Sequence, residues 1–496
     1  MKLKSVETEI NRFNDKKNFS VSDKKNKSGG YTMKSCIVIA CLMFLSLFLV
    51  AQPATISLPY AGDVAQNMSN IGITAFYFAE DPYAAVPTIY FTGYEAAAGV
   101  RHIYKMEDPL SEHGGREFST FAQVPVYIDR GEGDVIEDWP QWTYMTGIAV
   151  SEDYVFAGGR TFKTETIPNP DYDPEDPDSP ETITVPADSG GFYIARYNKS
   201  DGSFDSAFKN ANGGHRVNHF LMYDAGEEQT FYVDSDGNYT DADDPDGTAY
   251  TGQKSLIATQ QGRAVFAIDP EKPAGAFTTG SNGWFGLGLS PRGWSQILRT
   301  SPRGMAYDYD AGDLYISVSG TSSAVSPENL HAMWGGRYGI PGSLYPDGFP
   351  AFDNPGVIRM RNFDPFKYDW GMNDGEDTLE VLTLPEVETN SFMGVRLFTY
   401  DDAKFLVLTD FAGATVYFYY LHERAVAGKD YKDIEAYFIR TASFSGFDPI
   451  TVQSDVDGEI YLLISGGWTM TAYRLDIEVF GVDDDPTFSA HWNLFE

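Results

Sequence analysis

The sequence predicts an all-β protein built as a β-propeller of six or seven blades, and three observations carry that prediction. Beyond residue 52, apolar spacing of the helical kind is almost absent. In its place, short runs rich in Val, Ile, Tyr and Phe recur between Gly, Asp, Asn and Pro, the composition of strands and tight turns. The third observation is that one strand–turn–strand pattern returns along the chain, as it does when blades of roughly 40 to 50 residues are repeated around an axis. Eight blades, or paired β-sandwiches, would also present many short strands, but the repetition favours the propeller.

The clearest copies cover residues 146–159, 302–320, 393–410 and 449–467, with looser versions at 71–94 and 252–268. Each has a Gly or Pro, a few alternating residues, a turn rich in Asp and Gly, and an apolar strand ending in small residues. Partner strands follow at 192–197, 415–421 and 471–475. The copies are unevenly spaced, with 53 residues from Gly394 to Phe447 but 90 from Gly304 to Gly394, so insertions fill the difference. One insertion, 164–190, is crowded with Asp, Glu and Pro and is expected to be a solvated loop or hairpin. The other, 321–355, holds Gly, Pro and the aromatics Trp334, Tyr338, Tyr345 and Phe349; rim loops of this length are where propellers commonly bind. Residues 54–58 and 491–494 are the candidates for closing the ring, because an open one leaves bare strand edges.

Residues 35–51 form an apolar stretch after a run of lysines, with an apolar core of roughly 15 residues, short of the ~20 that span a bilayer. This is the layout of a signal peptide, with cleavage expected before Gln52 and Met33 an alternative start. An uncleaved anchor is the rival. The expected division is therefore an extension and signal over 1–51 and a single propeller domain over 52–496, with a bacterial periplasm, cell surface or medium as its address. Both cysteines, Cys36 and Cys41, lie in the signal, so the domain has no disulfide and no thiolate metal site.

Of 36 basic and 71 acidic residues in the chain, 27 and 67 lie beyond residue 51, a net charge near −40. Nucleic acids and anionic membrane surfaces are poor partners for such a domain. Calcium, cationic ligands and neutral glycans remain, and a monomer held soluble by its charge is expected.

Tyr154-Val-Phe-Ala-Gly-Gly-Arg160, then Gly191-Phe-Tyr-Ile-Ala-Arg-Tyr-Asn-Lys-Ser-Asp-Gly-Ser-Phe-Asp-Ser-Ala-Phe208 and Gly213-Gly214, resembles the bacterial delta-sixty repeat. The resemblance covers one blade-like unit, 154–214, interrupted by the acidic insertion. It implies an exported bacterial propeller and brings no catalytic residues. Within it, Asp201-Gly202 suits a hairpin turn and Arg196, alone on an apolar strand, is expected in a buried ion pair rather than at a ligand.

Enzyme signatures are missing: there is no Gly-x-Ser-x-Gly, no His-Glu-x-x-His, no phosphate-binding Gly-Lys-Ser/Thr and no complete Ser-x-Asp-x-Gly-x-Thr-Trp box. Two carboxylates suffice for a glycosidase, and the sequence does not single out a pair. Asp234, Asp236 and Asn238 set oxygen ligands at alternate positions of a turn, with Asp241 behind, the opening of a calcium loop. Tyr239 and Pro245 stand where an EF-hand requires Gly and Glu, so a solvated turn is preferred. His215 and His219, four apart, share a face and would suit a transition metal, against the plainer alternative of turn hydrogen bonding. Trp284 and Trp294 flank a Gly-rich loop before Arg303; with Trp334 and Tyr338 they make the candidate binding set, since flat rings stack on sugars. Blade packing is the competing use for these rings.

The expectation is a non-catalytic binding or scaffolding propeller that holds a glycan or protein through rim loops. The alternative is a polysaccharide hydrolase or lyase on the same scaffold.

Overall fold

Six separate antiparallel sheets follow one another along the chain, each with four principal strands. The computed structural model describes residues 53–65, 73–95, 100–110, 118–124, 144–161, 164–168, 182–186, 191–210, 217–233, 239–240, 242–243, 245–260, 264–271, 284–285, 288–289, 302–318, 356–366, 379–382, 384–387, 392–410, 415–429, 431–443, 450–453, 459–465 and 470–480. Among the described residues every regular element is a strand.

Blade 1 runs Ile73–Glu80, Thr88–Glu95, Val100–Glu107 and Phe118–Val124. Blade 2 runs Tyr144–Val150, Tyr154–Thr161, Gly191–Asn198 and Phe204–Asn210, with Trp284–Phe285 added at its outer edge. Blade 3 has Val217–Val233, Thr248–Gln260, Ala264–Ile268 and the short Gly288–Leu289, with Tyr239–Thr240 paired beyond the blade proper. Blade 4 comprises Pro302–Asp308, Asp313–Val318, Gly356–Met360 and Leu379–Leu382. In blade 5 the strands are Phe392–Tyr400, Ala403–Asp410, Thr415–Ala425 and Lys432–Ser443. Blade 6 takes Ile450–Gln453, Ile460–Ser465 and Met470–Arg474 from the C-terminal end and its fourth strand, Tyr60–Ala65, from the N-terminal end. The first strands of successive blades neighbour one another in order, and that of blade 6 returns to that of blade 1.

The sequence explains why each sheet is buried on both faces. Side chains alternate along a strand, so a sheet between two others needs apolar residues at every position. Along Ala403–Asp410, Phe405 and Val407 pack into blade 6, while Leu406 and Leu408 pack into blade 4. Along Tyr154–Thr161, Val155 and Ala157 face Tyr77, Tyr90 and Ile103 of blade 1, and Phe156 faces Phe220 and Leu256 of blade 3. Phe91 and Met106 of blade 1 meet Leu463 and Met470 of blade 6. Each such side chain contributes on the order of 1.5–3 kcal/mol by leaving water.

The seam between blades 3 and 4 is aromatic, with Tyr223 edge-on to Tyr307 at 4.9 Å and Phe231 tilted against Phe366 at 5.8 Å. The first strands of blades 1 to 5 each carry a bulge near their start. In blades 4 and 5 the bulged amides of Gly304 and Gly394 donate to Ser317 Oγ and Thr409 Oγ1 on the second strand, at 2.9 and 2.8 Å. Those hydroxyls answer backbone groups that the ladder leaves unpaired.

Five of the repeats named from the sequence coincide with the first two strands of a blade. The loose copy at 252–268 instead falls on the second and third strands of blade 3. The first hairpin of that blade is prolonged past a break between Asp224 and Gln229, which displaces the turn signal from its usual place. The 164–190 insertion contains a hairpin, Thr164–Pro168 with Thr182–Pro186, and 321–355 lies outside the described residues. Ring closure uses the N-terminal candidate, since Ala54–Ser57 pairs with Asp476–Val479 just before Tyr60–Ala65 completes blade 6. The other candidate, 491–494, lies outside the described residues.

Ile56 is 4 % exposed in the closing strand and packs in the core shared with blades 5 and 6. Ile56→Ala should cost about 2–5 kcal/mol, read as a lower urea midpoint at constant m-value. A change below about 0.5 kcal/mol, the scale of an ordinary surface substitution, would show that this strand does not hold the ring.

Candidate functional site

The alternation of strands gives the ring two unlike faces. First-to-second and third-to-fourth connections leave from one, here termed the turn face; second-to-third and fourth-to-first connections leave from the other. The turn face is the better described.

Aspartate builds its turns. Asp81 Oδ1 accepts from the Tyr83 amide at 3.0 Å, and Asp308 Oδ1 accepts from the amides of Asp310 and Ala311 at 3.1 and 3.3 Å. The same carboxylates then bind cations from the next blade. Lys199 of blade 2 donates to Asp81 Oδ1 and to the Ser151 carbonyl, both at 3.1 Å. Lys254 of blade 3 reaches Glu152 of blade 2 at 3.0 Å and Glu271 at 3.6 Å. Lys404 of blade 5 bonds Asp308 of blade 4 at 2.5 Å and Glu423 at 2.6 Å, with Lys432 on the other oxygen of Glu423. A buried clasp lies beside it: Arg359, 2 % exposed, binds Asp313 at 2.6 Å and Glu380 at 3.0 Å and donates to the Lys432 carbonyl at 2.8 Å.

Burial pushes the Asp313 carboxyl up, with Arg359 pulling against it. A raised carboxyl is a usual mark of a catalytic acid, but this side chain is 2 % exposed and clamped on a guanidinium, which fits a clasp. Burial works against the charge of Glu423 as well, yet hydrogen bonds from Lys404 and Lys432 outweigh it and hold the carboxyl below its ordinary range.

Between these clasps lies an aromatic group. Tyr-Asp-Ala-Gly occurs twice, at 223–226 and 309–312, and both times the Gly has positive φ, +78° and +71°. The two copies bring their tyrosines together: Tyr223 and Tyr309 stack at 6.0 Å and 14°, with Tyr307 edge-on to Tyr309 at 4.8 Å. Tyr309 is 59 % exposed, yet its hydroxyl donates to the Met222 carbonyl at 3.4 Å and accepts from the Asp224 amide at 3.2 Å. Tyr307 donates to the Phe363 carbonyl at 2.8 Å. Burial pushes the Tyr223 phenol up to about 12.

Asp224 is the hub of this group. Its carboxylate accepts from the Gly226 amide at 2.8 Å, Gln253 at 2.9 Å and the hydroxyl of Tyr83, from blade 1, at 3.1 Å. Burial opposes its charge, but these bonds and nearby Lys254 hold its carboxyl low. The Tyr83 ring has Lys254 at 5.0 Å and Lys199 at 5.2 Å from its centre. One tyrosine thus ties blade 1 to blade 3 past the turn of blade 2.

The residues predicted from sequence fall elsewhere. Trp284 pairs through its backbone with Asn210 at the end of the fourth strand of blade 2. Arg303 is half-buried in the bulge that opens blade 4, and its carbonyl accepts from Thr259 Oγ1 at 2.6 Å. His219 is 5 % exposed in the first strand of blade 3 and pairs with the same Thr259, so Arg303 and His219 stand on adjacent strands. Trp294, Trp334, Tyr338, Asp234, Asp236, Asn238, Asp241 and His215 lie outside the described residues. Among the described residues no three His, Cys, Asp or Glu side chains gather as metal ligands. Arg196, read from sequence as a buried ion pair, is 3 % exposed, binds Asp205 at 2.5 Å and lies over the Tyr154 ring at 4.4 Å.

Sequence inspection passed over Tyr83, Asp224, Tyr223, Tyr307 and Tyr309. The repeated Tyr-Asp-Ala-Gly was a signal for Tyr223, Asp224 and Tyr309, since a duplicated turn tetrapeptide marks corresponding turns of two blades. Nothing local marked Tyr83, whose partner is 141 residues away.

Two outcomes check these clasps. Arg359→Ala strands Asp313 in the interior and should cost about 3–5 kcal/mol in urea denaturation, whereas Lys432→Ala, at an exposed pair, should cost less than about 1. Because folding lowers the Glu423 pKa, its contribution is complete above the ordinary value of 4.5 and is lost as pH falls through the folded value. Glu423→Gln should therefore flatten the fall in stability below pH 4.5, and an unchanged slope would contradict the assignment.

No family model matches the chain, and no curated protein does. Among the solved structures similar in outline are the following two. The first, "Apo ctPRC2 in an autoinhibited state", is 8 % identical, with a TM-score of 0.31 over 84 % of this chain and 69 % of that one. The other is the GH43_1 enzyme from Xanthomonas citri complexed with xylose, 11 % identical, with a TM-score of 0.31 over 89 % of this chain and 95 % of that one. At these scores neither bears on what the chain does.

Proposed function

We propose that this chain is an exported bacterial propeller that binds or scaffolds without catalysis, holding a glycan or a protein on the face opposite the turns. The domain acts as a monomer in the periplasm, at the cell surface or in the medium, after cleavage before Gln52. One of its blade-like units, 154–214, resembles the delta-sixty repeat.

One observation carries the reading: the strand ends that frame the long connections share a face. Thr161 and Gly191 flank one insertion and Val318 and Gly356 the other, both between second and third strands. Arg303, at the start of a first strand, and Asn210, paired with Trp284, belong to the same side. Arg303 and the connections that hold Trp294, Trp334 and Tyr338 therefore belong to that side, and Trp284, although it stands between the third and fourth strands of blade 3, meets it through its pairing with Asn210. A non-catalytic role is supported by the charges of the turn face, where Lys199, Lys254, Lys404 and Arg359 are matched to carboxylates rather than left poised for proton transfer.

The test is calorimetric titration of neutral oligosaccharides and envelope protein extracts against the unaltered protein, Trp294→Ala and Trp334→Ala. Binding that weakens about tenfold in either variant, with no release of reducing sugar, supports the proposal. Turnover of a polysaccharide overturns it in favour of a hydrolase or lyase. Run with calcium and with chelator, the same samples decide the 234–241 loop: a fall in Tm with chelator assigns calcium to Asp234, Asp236, Asn238 and Asp241, and an unchanged Tm leaves a solvated turn.

A further inference from the structure

We propose that the turn face carries a second docking surface, for a lysine- or arginine-bearing peptide segment, centred on the ring of Tyr309. It lies on the opposite side of the ring from the loops discussed above and does not depend on what they bind.

The surface is exposed and preorganised. Tyr309 and Val86, 59 % and 48 % exposed, stand on the turns of blades 4 and 1, and Asp224 bonds Tyr309 of the one turn and Tyr83 of the other. Tyr309 is fixed by stacking on Tyr223 and by both hydrogen bonds of its hydroxyl, so a ligand need not order the ring.

The surroundings select for positive charge. Asp310 follows Tyr309 in the same turn, and Glu227 and Glu228 follow the Asp224 bulge; all three are exposed. The nearby cations, Lys199 and Lys254, are already bound to Asp81, Glu152 and Glu271. The chain carries a net charge of −35, which steers cationic segments toward it and repels anionic ones. Within the molecule, cations already settle on tyrosine rings: Arg361 is 3.7 Å from the centre of Tyr431 and Arg196 is 4.4 Å from that of Tyr154. A neutral sugar could stack on the ring and donate hydroxyls to the carboxylates, but it would draw nothing from their net charge.

The experiment titrates a short lysine–alanine peptide into the full chain, with a glutamate–alanine peptide and a neutral oligosaccharide in parallel. The expected result is binding of the lysine peptide alone, weakening as salt rises. Tyr309→Ala should lower affinity about tenfold, and Tyr309→Phe, which keeps the ring and its stack but not the hydroxyl's two hydrogen bonds, should lower it less than the alanine variant does. Glu227→Lys, on an exposed bulge where folding is not at stake, should weaken binding independently. Trp294→Ala and Trp334→Ala should have no effect, which separates this site from the opposite face. The proposal is overturned if the unaltered protein does not bind the lysine peptide or binds both peptides equally. Tyr309→Ala binding as well as the unaltered protein also overturns it, as does Tyr309-dependent binding of the oligosaccharide in place of the peptide.

Discussion

Tyr60–Ala65 pairs with Met470–Tyr473, and the rest of the ring depends on that pairing. Each sheet is apolar on both faces, so each must lie between two others, and the sixth can do so only if it meets the first. The chain has no covalent link there. Backbone hydrogen bonds between segments about 410 residues apart supply one instead, and they cover the outer edge of Met470–Arg474 to give blade 6 its fourth strand. The adjoining pair of Ala54–Ser57 with Asp476–Val479 seats Ile56 and Ile477 in the core that blades 5 and 6 share. Without cysteines in the described domain, this closure and the apolar seams are what hold the blades in register.

Closure explains why so much of the polar chemistry gathers at the turns. Second strands such as Asp313–Val318 are buried throughout, which leaves charged groups a place only at strand ends. There Asp81 and Asp308 each serve twice, first to cap their own turn and then to hold a lysine from the next blade. Clasps of this kind add little net energy where water screens them, but they fix which blade end sits against which. Blades 3 and 4 depart from the pattern, because a duplicated Tyr-Asp-Ala-Gly turn fills their seam with rings. Tyr309 is left facing outward by the same arrangement that stacks it on Tyr223.

Local chemistry was the legible part. Apolar runs bounded by Asp-Gly turns announced the strand pairs of five blades, because a hairpin is formed by residues that are neighbours in the chain. The slip at 252–268 arose where that rule was interrupted: the lengthened first hairpin of blade 3 moved its turn away from the repeat. Arg196 was read correctly as an internal ion pair, since a lone charge on an apolar strand has few other ways to be buried. The aromatic group at Tyr223 and Tyr309 was half visible in its duplicated turn. Its tie to blade 1 was not, because Tyr83 and Asp224 carry no mark of each other.

By itself the sequence determined that the domain is all-β, repetitive, acidic and without disulfides, and where its turns and first strands lie. These properties follow from alternation, composition and residues a few positions apart. Only the tertiary structure decided that there are six blades, that the N-terminal segment fills the sixth, and that tyrosines from blades 3 and 4 meet beside a loop from blade 1. Such facts depend on which distant segments share an edge or a seam, and apolar surfaces are too alike for a sequence to say which of them will meet.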